Sequence, residues 1–576
     1  MKLSIFADDC CIWKTGSNAK YNAKIVQKYT DKFHTWCDTW GFKISKTKTT
    51  AVIFSHKTKD QDVELKIGDT KIQIKNSVKF LGVILDKKLS WNEHIQYVVD
   101  RCKTRINLLR ALTGTNWGAN KKTLLMLYRV LVRSVIDYGS IAYDSASEAI
   151  KKKLDLIQSK ALRICCGAMC ITPVIALQVE CGEIALSLRR KEMQLQYATK
   201  LLSNKENPTR TIMDDCWQNY ATYPTGREPF ATKTREIQEI IGENEKIIHN
   251  NYSEYPFWHS EQPTVDTSLA ASLKLEGTDK KTMKEAAEEK IKEYNNSIQI
   301  FTDGSKAHNN KTGIAFRIPS TNEKNAFRLQ DDLSVSTIEA MAIQQALVHI
   351  TDIPGNCDVT IFTDTLDILE SIDKNRAKTA SNAVNEVRDT AIKTGKNINL
   401  VWIPSHVGII EHDKTDEDAK NAATHEKIDL AHAISITDIN KKINQHIDRI
   451  WQKSWDESEK GKSYRNIEPT ASRKIKHSQD NRKREVITTR LRFQKCHMNA
   501  YLHIIGKHVD GNCTTCHVPE TVEHFVLHCK NNRDLIDNLT KSIQQLKIKL
   551  RIEDILKNGE TLDIVVDYII KINKKI

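Results

Sequence analysis

Four acidic residues stand in settings where chemistry is possible. Ile300-Phe301-Thr302-Asp303 and Ile361-Phe362-Thr363-Asp364 are each apolar, β-prone and stop at an acid beside a turn or helix start. As parallel neighbours about 4.8 Å apart, the two segments would bring Asp303 and Asp364 to one C-terminal sheet edge. Carboxylates that close repel each other unless a cation joins them. Between the segments, Ser336 to Ala342 reads as a helix start with Ile338, Met341 and Ala342 on the buried stripe and Glu339 at its border. A third strand, Asn399 to Ile403, runs through a Pro-Ser-His turn into a helix whose Asp416, Ala419 and Ala423 share one face. Alanines permit close packing, so Asp416 is expected to face inward and Asp418 elsewhere. Singly, each acid reads as a cap or a solvated charge. Together they form an all-oxygen donor set, which selects magnesium, with manganese as a substitute, and suits a two-ion clamp for phosphodiester hydrolysis.

A second constellation is softer. Cys513-x2-Cys516-x7-His524-x4-Cys529 offers three thiolates and an imidazole, enough for closed tetrahedral zinc, with His517 and His528 as alternative ligands. A set of reduced, buried cysteines is the bland reading of the same residues. Arg473, Lys474, Lys476, Arg482, Lys483, Arg484, Arg490 and Arg492, with Phe493 beside them, could follow nucleic-acid phosphates or simply form a solvated helix face. Near the start, Phe6-Ala7-Asp8-Asp9 lies between two short β-like runs and reads as a hairpin with two acids at its tip.

These residues need elements to hold them. A chain of 576 residues exceeds one ordinary core, and the predicted architecture is multidomain, α/β and α. The boundaries read as 1–90, short strands; 91–202, helical; 203–296, a polar linker with Pro208, Pro224, Pro229, Pro256 and Pro263 and one helix near Lys281 to Tyr294; 297–430, alternating strands and helices; 431–510, charged and helical; 511–530, the Cys/His cluster; and 531–576, a helical tail. Ile95, Val98, Val99, Cys102, Ile106 and Leu109 recur at helical spacing. Further helices are expected over Leu124 to Tyr138 and Leu154 to Cys165, with Gly139 and Gly167 as C-caps. A net charge of +14, from 87 basic and 73 acidic residues, suits a polyanionic partner without identifying one. The sequence has no secretory signal pattern and no apolar run of spanning length, so an intracellular, non-secreted protein of nucleus or cytoplasm, free of membrane, is expected.

Phe301-Thr302-Asp303-Gly304-Ser305, the Glu339 helix, Phe362-Thr363-Asp364 and Ile403-Pro404-Ser405-His406-Val407-Gly408 together resemble a type 1 ribonuclease H domain over about Ile298 to Ala423. The resemblance implies a mixed sheet flanked by helices, two magnesium ions on the four acids, His406 assisting turnover and Ser305 meeting the nucleic acid. One departure is the run Glu411-His412-Asp413, where that family has Gly-Asn-Glu. The N-terminal part, with Phe6-Ala7-Asp8-Asp9, Trp40-Gly41-Phe42-Lys43-Ile44, Lys48, Val78 to Val83, Leu89-Ser90-Trp91 and His94, resembles the palm and thumb of a non-LTR retrotransposon reverse transcriptase. That likeness makes Asp8, with Asp9 beside it, a polymerase metal ligand. The family's fingers and its other catalytic palm strand precede this motif, so a vestigial polymerase within the C-terminal part of a larger polyprotein is expected. Cys/His clusters like the one at Cys513 close many such polyproteins, which supports zinc.

The expectation is therefore endonucleolytic hydrolysis of the RNA strand of RNA/DNA hybrids, with no reverse transcription expected from a truncated palm. The alternative is an inactive element remnant that binds nucleic acid.

Overall fold

The computed structural model describes the chain except residues 56–62, 205, 219–227, 243–246, 249–252, 257, 259–261, 274–278, 332, 356, 375–380, 431–433 and 575. Two compact units emerge. One comprises Met1–Met193, Pro224–Phe230 and Ile447–Ile576; the other comprises Gln194–Tyr223 and Ala231–His446. Among the described residues no helix is long and apolar enough to cross a membrane.

The second unit is built on a six-stranded mixed sheet. Its strands are β1 (Thr264–Asp266), β2 (Ile298–Lys306), β3 (Thr312–Ile318), β4 (Glu323–Leu329), β5 (Asp358–Thr363) and β6 (Asn397–Trp402), in the order β1-β6-β5-β2-β3-β4. The pairs β1/β6, β6/β5 and β5/β2 are parallel, while β2/β3 and β3/β4 are antiparallel. The helices of this unit used below are α1 (Lys280–Lys292), α2 (Val335–Thr351), α3 (Leu366–Asp373), α4 (Ser381–Lys393) and α5 (Ile410–Thr424).

Alternation along the strands explains why both faces are covered. Ile300, Phe316, Val359, Ile361, Ile398 and Leu400 point to one face, where they pack with Ile343 and Leu347 of α2, Leu369 of α3 and Val387 of α4. Phe301, Phe362, Val401 and Ile403 point to the other, beneath Ala287 of α1 and Leu269. So Thr264–Asp266, expected within a polar linker, instead contributes an edge strand, and the helix expected near Lys281 to Tyr294 packs on the sheet as α1. Their composition misleads because one stripe of α1 suffices for burial: Ala287 is buried while Glu285, Glu288 and Glu289 around it face water. Lys290 and Tyr294 also tie the segment to Asp266 of β1, at 2.7 and 2.9 Å.

The first unit begins with a hairpin, Lys2–Phe6 against Asp9–Trp13, whose register pairs Phe6 with Asp9. The predicted helical stripe is buried in the helix Asn92–Ala111. The stretch Leu124 to Tyr138 lies in a continuous helical run that passes through a π turn at Tyr128–Arg133. Gly167 caps the C-terminus of the helix Glu148–Cys166 with a left-handed φ of 67°, whereas Gly139, also left-handed at 69°, opens the short helix Ser140–Tyr143.

The basic stretch departs from expectation. Its part from Arg482 onward forms the helix Arg482–Arg492, most of whose residues are buried in this unit instead of open to phosphates. Arg482 is 4% exposed and donates to the carbonyls of Cys165 at 2.6 Å and Ile164 at 2.7 Å. Arg492 is fully buried, against Glu180 at 3.4 Å and Glu468 at 3.1 Å. Arg490 donates to the Gly167 carbonyl at 2.8 Å, and Phe493 is buried against Tyr464. Arg473 is held by Glu192 and Asp448 at 2.8 and 2.7 Å, and Arg484 by Asp563 and Asp567. Of the eight basic residues named, Lys474 alone is exposed, and Lys483 is half-buried. Guanidinium groups can enter an interior when carbonyls and carboxylates meet their planar fork, and here those partners come from distant segments.

Candidate metal centres

The register of β2 against β5 places the first two acids. Ile300 pairs with Ile361 and Phe301 with Phe362, so Asp303 and Asp364 follow at equivalent positions where the two strands part. β2 does not end at Asp303 as expected; it runs on to Lys306 because β3 continues to pair with it, opposing Ala315 to Asp303. Asp364 lies just past β5, in a turn fixed by Trp402 Nε1, which donates to the Asp364 carbonyl at 2.9 Å.

Glu339 arrives from the opposite side of the sheet. Ser334 caps α2, its hydroxyl accepting from Thr337 N at 3.2 Å, and the first turns settle against β2. The approach depends on Gly304: a Cβ there would stand 2.7 Å from Ile338 Cγ2 and 3.1 Å from the Glu339 nitrogen. Glu339 is buried, not at a surface border, and its Oε2 has no hydrogen-bond partner.

Asp416 is set by α5, whose Ala419 and Ala423 rest on β3 at Gly313. A Cβ on Gly313 would lie 2.5 Å from both Ala419 O and Ala423 N, so no larger residue fits beneath the helix. Asp418 points away and pairs with Arg317 at 2.6 Å. Asp416 Oδ2 lies 2.6 Å from Lys420 Nζ and 3.9 Å from His406 Nδ1. His406 is largely exposed, on a loop where its φ is 53°. Ser305 follows on β2, half-buried.

The electrostatics show what this crowding costs. Burial, then the charges of Asp364 and Asp416, push the Asp303 carboxyl up to about 8. Burial, then Asp303 and Asp364, hold Glu339 well above the carboxylate range. Like charges forced together out of water ionise only with a cation among them, and an orphaned buried carboxylate oxygen is a vacant ligand. The residues thus fit divalent metal. Carboxylate oxygens of Asp303 and Asp364 lie within 4.8 Å of each other and of an imidazole nitrogen of His412. His412 is a residue that sequence reasoning left as part of a loop departure. Its signal was the i, i+4 spacing to Asp416 on one helix face.

The Cys/His cluster lies in the first unit. Ligand atoms of Cys513, Cys516, His524 and Cys529 all fall within 4.8 Å of one another, with Cys513 and Cys529 sulfurs 3.8 Å apart. The Lys530 amide donates to Cys516 Sγ at 3.3 Å. Burial raises the Cys513 thiol, but amides of Cys516 and Thr515 outweigh it and pull the thiol below its ordinary value. Burial, aided by Cys513, pushes Cys529 up to about 11. His524 Nε2 has no hydrogen-bond partner. Three sulfurs and one free imidazole nitrogen, with amides aimed at the sulfurs, fit a soft metal ion. Neither His517 nor His528 joins this group. Asp8 and Asp9 stand exposed at the hairpin turn and belong to neither group.

Comparison with known proteins agrees with this geometry. The family model for RNase H matches residues 295–424. The chain is 23% identical over 166 residues to the RNA-directed DNA polymerase from mobile element jockey of Drosophila melanogaster, covering 29% of this chain and 18% of that protein. It is 22% identical over 171 residues to the retrovirus-related Pol polyprotein from type-1 retrotransposable element R1 of Bradysia coprophila, covering 28% and 17%. To a polyprotein of that description from Nasonia vitripennis it is 21% identical over 194 residues, covering 32% of this chain and 58% of the relative. The chain thus spans under a fifth of the length of the first of these relatives. The segment whose sheet edge gathers Asp303, Glu339, Asp364 and Asp416 is an RNase H domain, carried in a chain similar to the reverse transcriptase polyproteins of retrotransposons.

Proposed function

We propose that this chain cuts the RNA strand of RNA/DNA hybrids endonucleolytically, as a type 1 ribonuclease H. The observation that carries the reading is the meeting of Asp303 and Asp364, at equivalent register positions, with Glu339, whose buried Oε2 has no partner. Asp303, Glu339, Asp364 and Asp416 would hold two magnesium ions, with manganese as a substitute. Bound there, the ions would supply an activated water and stabilise the leaving oxygen. The protein's own share is positional. Gly304 and Gly313 let two helices close on the sheet, Lys420 restrains Asp416, and exposed His406 stands beside Asp416 where it can exchange protons with solvent during turnover. Ser305, Lys474 and Lys483 remain available to nucleic acid; Arg482 acts inside the fold, while half-buried Arg473 and Arg484 pair with acids. We also propose that Cys513, Cys516, His524 and Cys529 hold a structural zinc ion.

The test is the full chain with a hybrid labelled on its RNA strand, in magnesium. Internal cuts that Asp364→Asn abolishes, with circular dichroism unchanged, are expected. Wild-type protein inert in both magnesium and manganese overturns the reading.

A further inference from the structure

Rested on that reading, one residue of the site has no assigned role. His412 lies on α5 one turn before Asp416 and is 2% exposed. Its Nε2 is buried and has no hydrogen-bond partner. A ring nitrogen lies within 4.8 Å of carboxylate oxygens of both Asp303 and Asp364. Two ligands on opposite sides of one small divalent ion stand about 4.2 Å apart, twice a ~2.1 Å bond. Donor atoms within 4.8 Å of one another are thus close enough for the three side chains to meet in one coordination sphere. An imidazole buried only for packing would find a carbonyl or hydroxyl for its ring nitrogens; this one leaves Nε2 unsatisfied while a ring nitrogen stands near the two carboxylates.

We propose that His412 is a nitrogen ligand to one of the divalent ions held by Asp303 and Asp364, and that it biases the site from magnesium toward manganese. Imidazole favours first-row transition ions, whereas magnesium takes oxygen almost exclusively. The ribonuclease H pattern that this domain resembles has Asn at this position, an oxygen and amide donor. The His thus changes ligand chemistry at fixed backbone position.

The experiment is pulsed electron paramagnetic resonance on the full chain loaded with manganese, unlabelled and with 15N-histidine. Histidine nitrogen modulation is expected, following the isotope and disappearing in His412→Asn, while His406→Asn and His524→Asn keep it. A manganese titration read from the free-ion signal should show affinity falling about tenfold in His412→Asn, with magnesium competition changed less than threefold. Manganese bound without histidine nitrogen coupling overturns the assignment and leaves the ribonuclease reading standing. Coupling that survives His412→Asn overturns it too. Absence of any manganese binding removed by Asp364→Asn overturns both. Wild-type coupling needs no variant to fold, so a misfolded His412→Asn protein does not blunt the test.

Discussion

Phe301 and Phe362 stack on adjacent parallel strands, ring centroids 5.1 Å apart and planes 26° from parallel, and each precedes a site aspartate by two residues. The aromatic pair fixes the register, and register fixes the spacing of the acids. The predictions start from this crowding.

Without metal, Asp303 keeps its proton in the folded state up to about pH 8, while the unfolded chain loses it near 4. The folded state binds more protons over that window, so stability falls as pH rises through it. Metal-free protein is expected to lose several degrees of melting temperature for the second unit between pH 5 and 8. Magnesium should restore it at pH 8 and do little at pH 5. Asp303→Asn should flatten the metal-free profile and abolish the magnesium response, which differential scanning calorimetry reads directly.

Gly313→Ala places a methyl against backbone atoms of α5 that cannot rotate aside. The expected cost is about 1–3 kcal/mol of stability, the usual range for overpacking. Cutting should also fall, because Asp416 rides on the displaced helix. Urea unfolding followed by the activity assay separates the two effects. An unchanged midpoint would show that the helix does not rest on β3.

Trimming tests the edge strand. A fragment of residues 297–430 loses Leu269 and Ala287, which cover Phe301 and Phe362. It should associate or melt well below a fragment of residues 194–446. Analytical ultracentrifugation and melting of the pair decide this.

Zinc content is the fourth expectation. About one ion per chain is predicted, falling with Cys516→Ser, by elemental analysis. Cys513 and Cys529 also pack in the core that contains Phe525, Val526 and Ile536. Chelation should therefore expose that core to protease, and a protection pattern unchanged by chelator would count against a structural ion.

Arg492→Ala should behave as a folding defect. It strips a buried partner from Glu180 and Glu468, a loss on the order of 3–5 kcal/mol. Lys474→Ala should leave stability unchanged. If Arg492→Ala kept its stability but lost hybrid affinity in a salt titration, the helix would be a nucleic-acid surface after all.

Much of the second unit was legible because its signals are local. Period-two alternation, the repeated Phe-Thr-Asp ending and the small-residue face of α5 are all contained in short windows. What escaped was non-local. The arginines of the helix Arg482–Arg492 look like a solvated face in any window, since Glu180, Cys165 and Gly167, which receive them, lie some three hundred residues away. Gly313 carries no local sign that a helix returns to rest on it. His412 looked like a loop substitution until the sheet edge brought Asp303 and Asp364 beside it.

The first unit is closed by residues from both ends of the chain. Lys121 reaches Glu180 at 2.6 Å, Tyr464 donates to the same carboxylate at 2.5 Å, and Glu485 receives the Lys121 amide at 2.5 Å. On the ribosome, then, residues 194–446 are fully synthesised while Lys121 and Glu180 still await Tyr464, Glu485 and Arg492. The nuclease-bearing unit can fold first, and until translation passes residue 492 the earlier-made helices present unshielded charges to chaperones. The same interleaving means that a protease cut within 194–446 severs the chain without parting its first unit. The fragments 1–193 and 447–576 should still elute together.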